Sequence, residues 1–358
     1  MAERKSLMFL ALHEMKKEKL RYGLVIGVIL LVAYLIFILS ALAQGLASQN
    51  TNAFNSWKSQ SVILNKDANG NLAQSMMTRN QVETASESNK GEIVGLAQGI
   101  LKAGNARQSA TFVGLTEKSN LRQNVQLSSG HWNNNDNEVV LSDKLKDQGF
   151  HINQKVKMGL SNEEYTIVGF AKKAVYNMAP VVYGSIDDWS NIKGVTGDFV
   201  GSGLISSTKQ STTDGSLQVL NKKELFNKMP GYSAQTQTFL FMIAFLIIIS
   251  IVIVAIFLYI LTMQKLENLA VLRAQGIPSS YLIWNTLAQT VLILIIAVLL
   301  AVVLAAGTAL IIPTAVPMSF DPRLIATTAG LLIVTGIIGA VIPMRIIAKI
   351  DPVSVIGG

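Results

Sequence analysis

Apolar and polar stretches follow one another along the chain as one long apolar run, a large polar segment and three further apolar runs. The runs occupy residues 22–46, 238–263, 281–313 and 324–347, and the polar segment occupies 47–237. A helix needs about 20 consecutive apolar residues to cross the core of a bilayer, and each run exceeds that length with few or no charges. The pattern predicts a membrane α-helical protein with four transmembrane helices and a large domain inserted between helices 1 and 2.

The inserted segment has the pattern of an α+β domain. Phe54 and Trp57 continue the helical spacing of the first run, so we expect helix 1 to extend outward as a stalk. Short β-rich runs separated by Gly, Asn and Asp predict strands at 61–64, 110–115, 138–141, 156–159, 165–170 and 181–183. Short helices are predicted over 141–148 and 221–226. A mixed sheet with helices is favoured over an all-β sandwich.

Two segments beside the membrane runs have amphipathic patterns. Residues 1–21 combine an apolar side with lysines next to helix 1, which favours a cytoplasmic helix lying along the membrane surface; a plain basic flank is the alternative. Residues 264–280 predict a short helix that stops at Gly276, with Pro278 shortly after. That helix either docks into a cleft of a motor subunit or simply links two spans. Residues 348–358 form the predicted cytoplasmic tail.

Positive charge is distributed asymmetrically around the apolar runs. The chain has 358 residues, 50% of them hydrophobic and 15% charged, with a net charge of +8. Basic residues cluster before helix 1 and in 264–280, whereas the loop between helices 3 and 4 holds only Arg323. The positive-inside rule then makes both termini cytoplasmic and the inserted domain extracytoplasmic. The basic balance is a topology signal plus attraction to anionic membrane lipid, and nucleic acid is not an expected partner.

A cleaved signal peptide is the alternative interpretation of the first run, because Ala41-Leu42-Ala43 imitates a cleavage site. The apolar part of a signal peptide spans only about 7–15 residues, so the length favours a retained helix. The chain has no cysteine, and a large exported domain without disulfides is compatible with a single-membrane, Gram-positive bacterium. We therefore expect a multi-pass protein of the plasma membrane.

Catalytic motifs are missing from the sequence. It lacks the GxxxxGK[ST] phosphate loop, the HExxH and CxxC motifs and the GxSxG nucleophile motif. The apolar runs also lack the Asp, Glu, Lys and His side chains that ion-coupled carriers keep inside the membrane. We therefore expect a chain that is not an enzyme, whose energy comes from a separate cytoplasmic ATPase that binds the ATP.

Several stretches resemble the FtsX-like, MacB-type permeases of ABC transporters. Lys265–Pro278 is similar to the family's helix "K-x-x-E-x-A-V-L-R-A-x-G", which engages the ATPase, and Ile350–Ile356 resembles its terminal "D-P" stretch. Glu138–Asp143 followed by Tyr165–Gly169 resembles its extracellular core. The resemblance implies the permease subunit of a mechanotransmission-type exporter, acting as a homodimer with two copies of an ATPase. It implies ATPase-coupling roles for Lys265, Glu267, Leu269, Leu272, Arg273 and Gly276.

Within the family, the resemblance is greatest to haem-efflux permeases of Gram-positive bacteria. It rests on Leu42–Leu46, on Tyr176–Met178 and on Phe257–Lys265. It implies haem as a substrate, with no cofactor bound by this chain, and Tyr and Met are both possible iron ligands. The candidate substrate-binding residues are Gln44, Asn50, Met76, Met77, Arg79, Tyr176 and Met178.

Two alternatives stay open at this point. Met76 and Met77 also suit an adaptable packing patch, since methionine fills irregular gaps. The family plan also serves permeases that handle peptides or lipoproteins, and subunits that transport nothing. The alternative function is therefore a subunit that transmits ATPase motion to an extracellular partner.

Overall fold

The computed structural model describes residues 18–313 and 316–349. Most of the predicted segment 1–21 and of the tail 348–358 lies outside the described residues. The chain divides into two compact units, which we call the membrane unit (up to Gly45 and from Gln237) and the outer domain (Leu46–Thr236). The predicted limits of the inserted domain were 47 and 237.

The helices are α1 (Lys19–Ser56), α2 (Arg79–Ser88), α3 (Asn120–Asn124), α4 (Trp189–Lys193), α5 (Lys222–Asn227), α6 (Tyr232–Gln264), α7 (Leu266–Ala274), α8 (Ser279–Ile311), α9 (Pro322–Gly339) and α10 (Val341–Ala348). The strands are β1 (Ser61–Asn65), β2 (Met77–Thr78), β3 (Glu92–Ala103), β4 (Ala106–Leu115), β5 (Leu127–Gly130), β6 (Glu138–Ser142), β7 (Lys155–Met158), β8 (Tyr165–Ala171), β9 (Val175–Tyr176), β10 (Ala179–Ser185), β11 (Phe199–Gly201), β12 (Gly203–Ser206) and β13 (Leu217–Asn221).

Four helical segments are long and apolar enough to span a membrane: α1, α6, α8 and the pair α9–α10. The fourth was predicted as one run over 324–347, but its helix breaks at Ala340. The cause is Pro343, which has no amide hydrogen and whose ring meets the carbonyl four residues earlier. That carbonyl belongs to Gly339, the last residue of α9.

Close backbone contacts hold the membrane unit together at two glycines. A Cβ at Gly339 would lie 2.8 Å from the Ile251 carbonyl oxygen of α6, and one at Gly45 would lie 2.0 Å from the Pro317 carbonyl oxygen. The amide of Ser319 donates to the carbonyl of Ala41, 2.9 Å away. The loop before α9 therefore lies directly against the last membrane turn of α1, where only glycine fits.

Helix α1 continues past the membrane unit without interruption, as the apolar spacing predicted. Its last turns belong to the outer domain, where Ala53 and Phe54 are completely buried and Trp57 is nearly so. The Phe54 ring meets Phe226 of α5 edge-on at 5.6 Å, and Phe226 also contacts Tyr232 at the start of α6. The outer ends of transmembrane helices 1 and 2 therefore share one aromatic cluster.

The outer domain is built on a mixed sheet, which agrees with the predicted α+β class. Six strands close into a ring in the order β3, β4, β10, β6, β8 and β7, with β7 pairing back to β3. Strands β12, β1 and β13 extend the sheet beyond β3. Alternation sets which side chains face the core: in β7, Lys155 and Lys157 are exposed whereas Val156 and Met158 are buried.

Two local sequence predictions differ from the structure. The stretch predicted as a short helix over 141–148 begins as the end of β6 and continues as a 3₁₀ helix of about two turns from Asp143 to Gln148. That segment stops at Gly149, whose φ of 91° is left-handed. The strand predicted at 110–115 begins earlier, at Ala106, as β4, which pairs with β3 in a long hairpin.

Candidate functional site

The tip of the β9–β10 hairpin is the most strained of the predicted site segments. Asn177 and Met178 connect the paired residues Tyr176 and Ala179, and both have left-handed φ values of 48° and 64°. Such a two-residue turn normally takes Asn followed by Gly. A methionine in the second position carries a backbone cost of order 1–3 kcal/mol. Its side chain is 51% exposed, so the cost is not offset by burial of Met178.

This turn is fastened to the outer part of α1. The Asn177 amide donates to the Asn50 carbonyl at 3.0 Å, and the Met178 amide donates to the Gln49 carbonyl at 3.1 Å. The Asn50 side chain is buried and donates to the Leu46 carbonyl at 3.0 Å. The structure therefore brings together three predicted site residues, Asn50, Tyr176 and Met178. Asn177 was not among the predicted site residues, although asparagine is a usual first residue of a two-residue hairpin turn.

Tyr176 is buried in the core of the outer domain and is 3% exposed. Burial raises the pKa of its phenol well above the ordinary value. Iron ligation by tyrosine uses the phenolate, so this environment disfavours Tyr176 as a ligand. Met178 offers the accessible soft atom of the pair.

Met76, Met77 and Arg79 lie elsewhere in the outer domain. Met77 is fully buried, in a core cluster with Ile63 and Leu204, and Met76 packs on the edge of another cluster. Arg79 is exposed, and its guanidinium lies 3.7 Å from the Asp198 carboxylate. These positions favour the packing alternative for the two methionines. Gln44 belongs to the membrane unit, where its side chain is exposed.

The predicted cytoplasmic helix is present as α7, with Gly276 in the left-handed conformation at φ 90° just beyond its end. The Gly276 amide donates to the Arg273 carbonyl, and the Ile277 amide donates to the Leu272 carbonyl. These bonds satisfy carbonyls that the helix end would otherwise leave open.

The residues predicted to couple to the ATPase lie on two sides of α7. Leu269 and Leu272 are partly buried against a cluster within the membrane unit formed by Ala270, Leu282 and Ile347. The outward side instead carries Glu267, Val271 and Ala274, at spacings of four and three residues. Val271 is 45% exposed.

Two further residues of the predicted coupling set, Arg273 and Lys265, are positively charged. Arg273 is half-buried, and its Nε atom has no hydrogen-bond partner among the described residues. Lys265 precedes α7, and its Nζ donates to the Tyr22 hydroxyl at 3.1 Å.

Comparisons with known proteins agree with this architecture. The model of the MacB-like periplasmic core domain matches residues 23–215, and that of the FtsX-like permease C-terminal region matches residues 240–352. Two relatives from Staphylococcus epidermidis strains, each named putative hemin transport system permease protein HrtB, are 26% identical over 352 residues, covering 98% of this chain and 99% of each relative. A relative of the same name from Staphylococcus haemolyticus is 23% identical over 353 residues, covering 98% of this chain and 99% of its own.

A solved structure is also similar in part. It is the extracellular domain of the noncanonic ABC-type transporter YknZ from Gram-positive bacteria, 9% identical with a TM-score of 0.33, and the match covers 46% of this chain and 99% of that one. The first family model alone covers more than half of the chain. The two models follow one another in the order of the inserted domain and the three later spans. The chain belongs to the FtsX-like, MacB-type family of ABC transporter permeases, membrane subunits that work with a partner ATPase.

Proposed function

We propose that this chain is the permease subunit of an ATP-driven exporter that removes haem from the membrane. The observation that carries the proposal is the match to relatives named for hemin transport along nearly the full length of both chains. The exposed, strained Met178 supports it, because a thioether is a soft ligand suited to haem iron. Haem is here the cargo, and no resident cofactor is proposed.

The proposed machine is a homodimer with two ATPase subunits and with both chain termini in the cytoplasm. The ATPase binds the outward side of α7, where Glu267, Val271 and Ala274 form a stripe. An acidic group of the ATPase meets the Arg273 guanidinium, whose Nε has no partner within the described ranges. Closure of the ATPases moves α6 and α1. Export requires these helices to bind haem with different affinities in the two states.

The outer domain receives that motion through the aromatic cluster and through the turn. Phe54 and Phe226 are in contact, so displacement of either helix end strains the same cluster. The turn at Asn177 and Met178 is bonded to carbonyls of α1, so a shift of α1 alters the position of the Met178 thioether. Release of a tightly bound haem requires its iron ligand to move during the ATP cycle.

Replacement of Met178 by glycine separates binding from stability. Glycine adopts a left-handed φ without the strain of about 1–3 kcal/mol that Met178 carries, but it costs about 0.5–1 kcal/mol more backbone entropy on folding. Met178→Gly should therefore raise the free energy of unfolding by about 0.5–2 kcal/mol. The same change removes the thioether and should weaken haem binding at least tenfold. The measurements are the Soret shift on titration with haem and thermal unfolding of the purified permease–ATPase complex.

Met158→Leu, a change at a buried methionine of β7, is the matched control and should leave the Soret titration unaltered. Unchanged haem affinity in Met178→Gly would remove Met178 from the site. Absence of any Soret shift at micromolar haem in the unmodified complex would overturn haem export in favour of a subunit that transmits motion to an extracellular partner.

A further inference from the structure

Three basic side chains stand side by side on the sheet of the outer domain. Lys102 of β3 pairs directly with Arg107 of β4 on one side and with Lys157 of β7 on the other. Directly paired residues of antiparallel strands point to the same face of the sheet, with Cβ atoms about 4.5–5.5 Å apart. The three cations therefore form one line across three strands, which we call the basic row.

The basic row faces solvent. Its three side chains are exposed, whereas the residues that alternate with them, Leu101 of β3 and Met158 of β7, are buried in the core inside the ring of strands. Successive side chains of a strand point to opposite faces of the sheet. Packing of the alternate residues into the core thus directs the basic row outward.

The basic row has no paired carboxylate among the described residues. Ion pairs within those residues include none from Lys102, Arg107 or Lys157. Glu164, in the loop before β8, places its Oε2 atom 3.3 Å from the Nζ atom of Lys155, which precedes the row on β7. The charge of Glu164 is therefore already matched by a lysine outside the row.

This arrangement opposes the stability of the sheet. Like charges directly opposite one another on neighbouring strands are destabilising. Lysines often protect the free edge of a sheet from pairing with another chain. At Lys102, however, β3 is paired on both sides, so edge protection does not explain the row. An anionic partner that lies across the row would offset the repulsion.

We infer that the basic row binds a linear phosphodiester polymer of the cell envelope. The row lies on the domain that matches the MacB-like periplasmic core, so it is presented on the outer side of the membrane. Both edges of β3 are occupied at Lys102, so a peptide cannot add there as a strand. Cations on three successive strands suit successive phosphate groups of one flexible chain, and the Arg107 guanidinium can hold a phosphate by two hydrogen bonds. The inference does not depend on haem export.

The test measures binding of fluorescently labelled poly(glycerol phosphate) to the permease–ATPase complex in nanodiscs of phosphatidylcholine. Fluorescence anisotropy is recorded over a series of salt concentrations. Each contact with a single-stranded polyanion contributes about 0.7 to the salt dependence, so three contacts predict a slope of about −2 for the logarithm of the binding constant against the logarithm of salt concentration.

Lys102→Glu should move binding and stability in opposite directions. The change converts both like-charge pairs of the row into opposite-charge pairs, so the unfolding temperature should rise. Binding of the polymer at about 50 mM salt should fall by about tenfold or more, and the salt slope should approach zero. A purely structural role of Lys102 would not produce weaker binding together with greater stability.

Lys209→Glu is the matched control. It makes the same change of charge at an exposed lysine of the outer domain. Lys209 follows β12, which pairs with β3 at residues 92–94, the end of that strand away from Lys102. Polymer binding and its salt slope should remain as they are in the unmodified complex.

Full polymer binding in Lys102→Glu would overturn the inference, as would an equal loss in Lys209→Glu. Tighter binding of polyglutamate than of the polymer would assign the row to an acidic protein and would also overturn it. Capture by phosphatidylglycerol vesicles that requires Lys102, without binding of the polymer, would assign the row to a lipid surface with the same consequence. Failure of the unmodified complex to bind haem affects the proposed function alone.

Discussion

At the scale of single residues, the environment of Asp188 disfavours the charged form of its side chain. It is 6% exposed, and its Oδ2 lacks a hydrogen-bond partner in the described part of the chain. Burial, and then the negative charges of Glu163, Asp136 and Asp187, raise its pKa to about 6. The folded state therefore disfavours the ionised form that predominates at neutral pH.

Stability of the outer domain should consequently decline as pH rises past this residue's pKa. A raised carboxyl pKa costs nothing below the unfolded value near 4 and costs its full amount above the folded value near 6. Asp188→Asn should abolish this decline and raise the free energy of unfolding at pH 7 by about 1–3 kcal/mol. Thermal unfolding of the full chain at pH 4.5, close to the lower end of this window, and at pH 7, about one unit above its upper end, measures both effects.

Asp147→Asn provides the control for that series, because Asp147 is exposed. It should leave the pH dependence of unfolding as it is in the unmodified chain. An equal decline in Asp188→Asn would show that Asp188 does not cause the effect.

At the scale of elements, one side of α7 packs against the membrane unit, and the other side faces outward. Val271 and Glu267 are on the outward side, whereas Leu269 packs with Leu266 and Leu272 around Ala270. Substitution on the two sides should therefore act on different properties. The proposed function assigns the outward side to ATPase binding, and the packing assigns the inward side to the stability of the membrane unit.

Val271→Asp places a charge at the proposed docking stripe, where burial against the ATPase would leave it unpaired. Substrate-stimulated ATP hydrolysis should fall about tenfold, equivalent to roughly 1.4 kcal/mol, and Glu267→Ala should reduce it as well. Leu269→Ala should instead lower the unfolding temperature, because it opens space in a packed cluster. ATPase assays and unfolding of the complex in nanodiscs distinguish the two. Full stimulation in Val271→Asp would eliminate this side as the docking surface.

At the scale of the whole molecule, the order of one span, a domain and three spans was predictable because bilayer thickness imposes a length on each helix. The continuation of α1 into the outer domain was also predictable, since Phe54 and Trp57 keep the helical spacing. The ring of strands was not, because the pairing of β7 with both β3 and β8 depends on contacts distant in sequence.

Candidate site residues were harder to predict than the fold. Met178 is exposed and Met77 is fully buried. The sequence alone does not show which of two methionines is buried. The same limit applied to α7, where Leu269 and Val271 are equally apolar but only Val271 faces outward.

The fastening of the hairpin tip to α1 has a consequence for hydrogen exchange. The Met178 side chain faces solvent, yet the amides of Asn177 and Met178 are both engaged by carbonyls of the helix. Exchange of those two amide protons with deuterium therefore requires the turn to separate from α1, and exposure of the loop alone does not accelerate it. The exchange rate of these two amides therefore measures how often the turn separates from α1, with and without ATP.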